Sequence, residues 1–590
     1  MVTKGTAEES PLTPEKFKTA ADAVEQFLHA NLHEVSPVPA EALSSYREQG
    51  HVFVQGWEFT ADFDGAQMRL RVLADQDFPF SPVRIGIVPP HEYAFAHLEA
   101  GSLLCLDPEQ SVCWDKPAEV VGELLSQAAD VIDTGLASIG SEDETRREIL
   151  AYWDKSQGRK LAKGILAPDA PARMVHMIRH NGQIILSDNR DEAKSFFAAS
   201  GGKLKPTQFG EKVPLLWLRR PPANSQLPVT VANLVRLLLD ETASGLGLLE
   251  QYLVSSKGRN TVVLAFRDDN GVGFIGVEFA KVRFQKSAPT SLAFIRQADR
   301  SNKVERISIR REDAEWVFGR DQNVELDKLR TANIAMVGVG SLGSYVALSL
   351  ASAGVGRIEL IDPQVIMAEN TSRHVLGANY IGMSKSEALA LRLRSQFKVS
   401  EFTSFAGTWQ SWVASDKTDL ASYDLVISTI GDWPSEAHLA NHLNGYEADI
   451  PSLFAWLEPR AIGSQAVFLP AKSPCFFCGF TTGGLPTKAI TTWANPTRTR
   501  TPLCGGHFQS YGATALMAHS SQVADQAIKA LLGELEEPTC SFQAFGNPNI
   551  EGGEWSEWWA NLHSGNVPEA CRIELPWEVN PSCGNCGGAA

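Results

Sequence analysis

A chain of 590 residues is too long for a single hydrophobic core, so roughly two to four domains are expected. With 44% hydrophobic and 21% charged residues, the composition is that of an ordinary soluble globular protein. A formal net charge of −16 argues against broad nucleic-acid binding and against adhesion to anionic membranes. No apolar run approaches the length of a membrane span, and the opening MVTKGTAEESPLTPEK lacks a hydrophobic signal region, so a cytoplasmic location is expected. The nine cysteines are odd in number and crowd toward the C-terminal end. In a reducing compartment that pattern points to metal ligands and thiol chemistry rather than a disulfide framework.

In chain order, Thr13-Pro14 reads as a helix N-cap with proline at the first helical position, followed by Phe17, Ala20, Val24, Phe27 and Leu28 at helical spacing. Alternating segments at His51 to Phe59, Met68 to Leu73 and Val83 to Val88 predict a small antiparallel sheet. The turn Phe78-Pro79-Phe80-Ser81-Pro82-Val83 lies between the last two. Then come His97, Gly101, Leu103-Leu104-Cys105-Leu106-Asp107 and Trp114, and a helix from about Ala118 to Ile132.

This order resembles a ubiquitin-conjugating-enzyme domain, with its YPFxPPxV-like turn and its G-x-I-C-L-D segment followed by a tryptophan. The resemblance makes residues 1–155 an α+β conjugating-like domain and Cys105 its thioester-forming nucleophile. The family's His-Pro-Asn, whose asparagine stabilises the oxyanion during amine attack, is absent; His97 alone stands in that region.

Residues 156–172 contain Ala167-Pro168-Asp169-Ala170-Pro171-Ala172 and read as a linker. From 173 to 310, strand-like runs include Val175 to Ile178, Gln183 to Ser187 and Val213 to Leu218. Thr261 to Phe266 and Val272 to Phe279 are joined by the hairpin turn Asp269-Asn270-Gly271, and Val231 to Leu239 reads as a helix. No catalytic constellation emerges, and the region is expected to be an α+β connecting domain.

In the remaining segment, 311–590, Ile334 to Val337 reads as a buried strand. Gly338, Gly340 and Gly343 form GxGxxG, an Ala/Leu-rich helix runs to Ala353, and Ile358 to Ile361 forms a second strand ending at Asp362. This βαβ unit places a glycine turn at a helix N-terminus, which favours phosphate, and an acidic residue where it could reach ribose hydroxyls. Alone the pattern fits NAD, FAD or ATP. Asn370, Arg373 and Lys385 follow, and Asp432 stands after a further strand, Asp424 to Ile430. An NAD site needs no such cluster, whereas a triphosphate split between its α and β phosphates does. Asp432, at the C-terminal edge of the sheet, would hold Mg²⁺ against the phosphates.

These residues resemble the adenylation domain of ubiquitin-activating enzymes and their bacterial ThiF/MoeB-like relatives, which activate sulfur-carrier proteins. The resemblance implies a Rossmann-like fold in which Gly338, Gly340 and Gly343 line the phosphates of ATP. It also implies that Asp362 binds ribose, that Asn370, Arg373 and Lys385 contact phosphate, and that Asp432 binds the metal. Gln364 stands where the family has the second aspartate of D-x-D. Arg320 matches the family's upstream arginine, which reaches the partner subunit's ATP site, so a homodimer is implied.

Cys475-x-x-Cys478 and Cys583-x-x-Cys586 each fit half of a four-thiolate Zn²⁺ site that would hold the C-terminal tail. Cys504, just ahead of a helix expected from about Ser510 to Leu532, has its thiolate favoured by the helix dipole. It also matches the family's activating cysteine; Cys540 is the rival.

The two ends together resemble the CD-NTase-associated activating/conjugating fusions of bacterial CBASS anti-phage operons. That resemblance implies ATP-dependent adenylation of a protein C-terminus, by resemblance a CD-NTase, then a thioester relay from Cys504 to Cys105 and ligation to a target amine. Neither nucleic acid nor membrane is a direct partner in this reading. The alternatives are a carrier adenylyltransferase or sulfur-transfer enzyme with a non-catalytic N-terminal docking domain, or a Rossmann scaffold binding NAD or nothing.

Overall fold

A computed structural model describes residues 14–63, 66–88, 97–98, 102–106, 115–137, 143–154, 160–199, 211–256, 258–281, 303–319, 325–416, 418–446, 449–470, 474–500 and 507–586. Of the expected site residues, Arg320 and Cys504 lie outside these, as do Gly101, Asp107 and Trp114 of the conjugating-like motif. The chain divides into two compact units. The first holds residues 1–177, 181–184 and 211–310; the second holds 178–180, 185–210 and 311–590.

The first unit opens with helix α1 (Pro14–Asn31) and four strands, β1 (His33–Pro37), β2 (Phe53–Phe63), β3 (Ala66–Asp75) and β4 (Arg84–Val88). The strands pair antiparallel in the order β1-β2-β3-β4. α1 turns Ala20, Ala21, Val24 and Leu28 to one face, and that face is buried with Val121, Leu124, Ala128 and Ile132 of α2 (Pro117–Ala137). The same core takes Phe59, Leu70, Val72 and Ile85 from the sheet.

Residues 102–106 run beside β4. Ile87 N–H donates to Ser102 O at 2.9 Å and Leu104 N–H to Ile85 O at 2.8 Å, and Leu103 and Leu104 are wholly buried. This is the frame that carries Cys105.

Beyond α2, short helices at Asp143–Arg147 and Ile149–Asp154 lead to β5 (Lys160–Ile165). Part of the expected linker 156–172 is therefore a strand, because Ala162, Ile165 and Leu166 are buried apolar positions. Its proline-containing remainder is pinned by the Arg173 guanidinium, which donates to Ala167 O at 3.1 Å and Ala170 O at 3.2 Å. The connecting region supplies β6 (Arg173–His180), β7 (Glu211–Leu218), helix α3 (Val231–Glu241), β8 (Asn260–Asp268), β9 (Gly271–Phe279) and β10 (Val304–Arg311). β6 is antiparallel to β7, β7 is parallel to β8, and β8, β9 and β10 form an antiparallel run.

In the second unit come β11 (Asn333–Val337), α4 (Ser341–Ser352), β12 (Arg357–Ile361), α5 (Lys385–Gln396), β13 (Glu401–Phe405), β14 (Leu425–Ser428), α6 (Trp433–Asn444), β15 (Ser452–Leu457) and β16 (Gly463–Leu469). After them come α7 (Ala513–Leu532), β17 (Thr539–Phe545) and β18 (Ala570–Pro576). The sheet order is β13-β12-β11-β14-β15-β16-β17-β18, parallel through β15 and antiparallel after it. Strand order reverses between β11 and β14. At such a switch point the loops leaving the carboxyl ends of the two strands diverge and open a ligand crevice. No helix among the described residues is long and apolar enough to cross a membrane.

The glycines of the turn have separate reasons. Gly338 has φ +86°, and a Cβ there would meet Ile430 N at 2.9 Å. A Cβ on Gly343 would stand 2.1 Å from Gly338 O and 2.4 Å from Thr429 Oγ1. A Cβ on Gly340 would meet nothing within 4 Å. Gly343→Ala should thus cost at least about 2 kcal/mol of stability, and Gly340→Ala less than about 1 kcal/mol. Urea denaturation of the two variants measures the difference, and equal losses would contradict the packing described.

Candidate active site

At the switch point lies a cavity of about 490 Å³, a size suited to a small-molecule ligand. Gly340, Ser341 and Leu342 at the N-terminus of α4 form one wall, and Thr429, Ile430 and Gly431 after β14 form another. The space a side chain at Gly340 would fill is open, so backbone N–H groups and the positive end of α4 face a region that can take an anion. The donor set fits the phosphates of a nucleotide.

Arg373 lines this cavity too. Its guanidinium donates to Gln509 O at 2.8 Å and lies 4.9 Å from the Tyr511 ring centroid, which aims a permanent cation at the site. Arg498, which the sequence reading did not single out, is a second cation in the lining.

The other expected nucleotide-site residues that the structure describes, Gly338, Gly343, Asp362, Asn370, Lys385 and Asp432, do not line the cavity. Asp362, 5% exposed, accepts Val339 N–H at 2.9 Å through one oxygen and Gln364 N–H at 2.8 Å through the other. It braces the glycine turn and keeps lone pairs for a hydroxyl. Lys385 is buried, its Nζ donating to Gln364 Oε1 at 2.7 Å. Burial pushes this ammonium down, against the pull of Asp362 and Glu369. Gln364, the departure from D-x-D, is thus the neutral partner of a buried lysine. Asn370 Oδ1 accepts Met367 N–H at 3.0 Å, and Asp432 caps α6 by accepting Ser435 N–H at 3.2 Å.

Two buried groups behind the turn escaped the sequence reading. His374 donates from Nε2 to Val339 O at 2.8 Å while Nδ1 accepts Leu376 N–H at 3.1 Å, and burial pushes it down to about 4, so it is neutral. Glu436, 4% exposed, lines the cavity and accepts from Ser428 Oγ at 3.0 Å and Gly431 N–H at 3.3 Å. Burial pushes its carboxyl up to about 7, and the charge of Asp432 acts in the same direction. Only the apolar and small residues around these two in sequence are diagnostic of strands and helices, so neither stood out.

The four CxxC cysteines converge, all sulfurs lying within 4.8 Å of one another. Neighbouring sulfurs stand at 3.8, 3.6 and 3.5 Å. A tetrahedral ion with metal–sulfur bonds of about 2.3 Å sets sulfurs about 3.8 Å apart, so the thiols could hold one zinc-sized ion. Burial pushes the Cys475 and Cys478 thiols up, a cost that a bound cation would reverse. Gly479 is required beside them, because a Cβ there would meet the Trp577 ring at 1.8 Å.

The three remaining described thiols differ by exposure, Cys571 being partly buried. Cys105 is exposed. Cys540 is 1% exposed on β17, and burial pushes its thiol well up, which removes the rival to Cys504 from reach of any acyl group.

Residues 314–559 match the ThiF family, and residues 35–162 match Prokaryotic E2 family B. The two ends of the chain thus resemble two different families. Among similar proteins is an "ATP-dependent ubiquitin transferase-like protein Cap2" of Enterobacter hormaechei subsp. hoffmannii, 32% identical over 20% of this chain and 22% of the relative. One of the same name from Pseudomonas aeruginosa is 29% identical over 30% of this chain and 32% of the relative. The "Adenylyltransferase and sulfurtransferase MOCS3" of Xenopus laevis is 46% identical over 11% of this chain and 15% of the relative. The matched stretch thus spans from about a seventh to a third of each relative's length.

A pH experiment tests the buried carboxyl. Glu436 is raised from 4.5 to about 7 in the fold, so its contribution to stability is fully present below pH 4.5 and is lost as pH rises through 7. Glu436→Gln should be progressively more stable than the parent from pH 5 to pH 8, by up to about 3 kcal/mol. Denaturation midpoints at the two pH values measure it, and a pH-independent difference would show that the carboxyl is not buried as described.

Proposed function

We propose that the chain activates the C-terminal carboxylate of a protein with ATP and Mg²⁺, carries it as a thioester on Cys504 and then on Cys105, and joins it to a target amine. The observation that carries the reading is a nucleotide-sized cavity formed by the α4 N-terminus and Arg373, in a chain that also presents an exposed cysteine on a conjugating-like fold. ATP supplies the leaving group that makes the carboxylate an acyl adenylate. The Gly340 to Leu342 amides would hold phosphate, Asp362 the ribose, and Asn370, Arg373 and Lys385 the charge that grows on pyrophosphate. Asp432 would hold Mg²⁺, and Arg320 would reach the site of a second subunit in a homodimer.

By the resemblance to CD-NTase-associated fusions, the activated protein would be a CD-NTase and the setting CBASS anti-phage defence in the cytoplasm, and the similar Cap2 proteins are named as ATP-dependent ubiquitin transferase-like. Zn²⁺ in the four-cysteine site would tie the segment after β18 to the Cys475–Cys478 turn. Similarity to MOCS3 favours a second reading, in which the chain only activates a carrier and the N-terminal domain docks it.

ATP–pyrophosphate exchange in full-length protein, co-expressed with its neighbouring gene products, tests adenylation. Asp432→Ala and Arg373→Ala should each lower exchange at least about tenfold. No exchange, or exchange indifferent to both changes, sinks the site as drawn. Intact-mass analysis should find adducts on Cys504 and Cys105 that reductant removes, the second vanishing in Cys504→Ala. Completed transfer by Cys105→Ala would instead establish the docking alternative. Elemental analysis should give one zinc per chain, lost together with thermal stability in Cys583→Ser.

A further inference from the structure

The conjugating-like fold lacks the asparagine that its relatives use at the thioester, yet a second pair of groups stands at Cys105. Leu98 and Leu104 form an antiparallel bridge, and Cys105 N–H donates to His97 O at 2.8 Å. His97 and Cys105 are therefore opposite one another across that single bridge. The His97 Nδ1 lies 2.9 Å from Glu148 Oε1, and His97 N–H donates to Glu148 Oε2 at 3.2 Å. One carboxylate thus grips both the ring and the backbone of the same residue. His97 holds a left-handed backbone, φ +64°, which is strained for a non-glycine residue and which this double grip sustains.

Glu148 is itself fixed from both sides. Two residues before it, the Arg146 guanidinium is buried, donates to Pro221 O at 2.5 Å and pairs with Glu241 at 3.5 Å. Five residues after it, Trp153 is 1% exposed and its Nε1–H donates to Ile307 O at 3.0 Å. The connecting sheet therefore anchors the short helices that present Glu148.

We propose that His97, oriented by Glu148, is the general base for amine transfer from Cys105. With Nδ1–H donated to the carboxylate, Nε2 carries the lone pair. The amine nitrogen bonds to the thioester carbonyl carbon, the C–S bond breaks and Cys105 leaves as a thiolate. Nε2 takes the proton the nitrogen sheds and returns it to solvent. Glu148 acts through His97 and is a positioning residue. The connecting domain thereby acquires a task, holding the carboxylate that orients the base.

This inference rests on Cys105 being the acyl carrier, and the test separates the two. The full-length chain is incubated with a glycine-terminated peptide thioester, which acylates a reactive thiol by exchange without ATP, and is then chased with free lysine. In parent, His97→Ala and Glu148→Gln the same fraction of Cys105 should be acylated at the end point. Discharge to lysine should fall at least about tenfold in His97→Ala, with added imidazole restoring part of the rate, and several-fold in Glu148→Gln. Restoration by imidazole is a response that a merely structural histidine does not give. Normal acylation with unchanged discharge in His97→Ala, or a slowed discharge that imidazole leaves untouched, overturns the inference alone. A Cys105 that takes no acyl group overturns the reading beneath it as well.

Discussion

Helix α4 lies so close to the turn before it that Gly343 admits nothing larger than hydrogen, and the nucleotide-facing half of the site depends on that approach. Because α4 starts this close to the ends of β11 and β14, its unpaired N–H groups open into the crevice rather than into solvent. The turn is then locked by three separate side chains. Thr429 Oγ1 donates to Gly338 O at 2.5 Å, Asp362 accepts Val339 N–H, and His374 donates to Val339 O. Asp362 and His374 come from the segment between β12 and α5 and Thr429 from the loop after β14, so the cradle's shape is set by the sheet's topology and not by the glycines alone.

A second constraint is burial, which acts on several ionisable groups around that cradle. Lys385, His374 and Glu436 are all buried, and in each burial moves the pKa toward the neutral form. Lys385 is paired with a neutral glutamine, where an aspartate would have anchored its charge. The permanent cations, Arg373 and Arg498, stand in the cavity wall instead. An anion entering the cavity therefore meets two guanidinium groups and a helix N-terminus.

How much of this was legible in the sequence follows from which forces are local. Alternation and helical spacing announced β2 to β4, α1, α2 and the βαβ unit, because amphipathic periodicity is written in consecutive residues. Val231 to Leu239 read as a helix for the same reason and is α3. The CxxC pairs were legible because metal-ligand spacing is local, although their convergence across more than a hundred residues is visible only in the fold. The strand inside the expected linker was missed because three buried apolar residues are few against nearby prolines. Glu436, His374 and Arg498 were missed because their roles arise from contacts between segments far apart in the chain. Asp362 was noticed as a possible ribose ligand, but its two backbone bonds belong to loop geometry that no spacing encodes.

The described cysteines then divide by the environment each receives. In the second unit, Cys540 is sealed in a strand and four others face one another as a prospective metal cage. In the first, Cys105 is exposed. A thiol meant to carry an acyl group must be reachable, must be held in one place and must have a proton acceptor nearby. The bonds between β4 and residues 102–104 supply the holding, and the Cys105 N–H is bonded to the carbonyl of His97. Sequence comparison with conjugating enzymes reports this segment as lacking an asparagine. His97, which stands in that region of the sequence, has its ring and backbone both gripped by one carboxylate. On the role proposed for it, this imidazole would act on the proton of the attacking nitrogen, not on the carbonyl oxygen that an asparagine donor would stabilise.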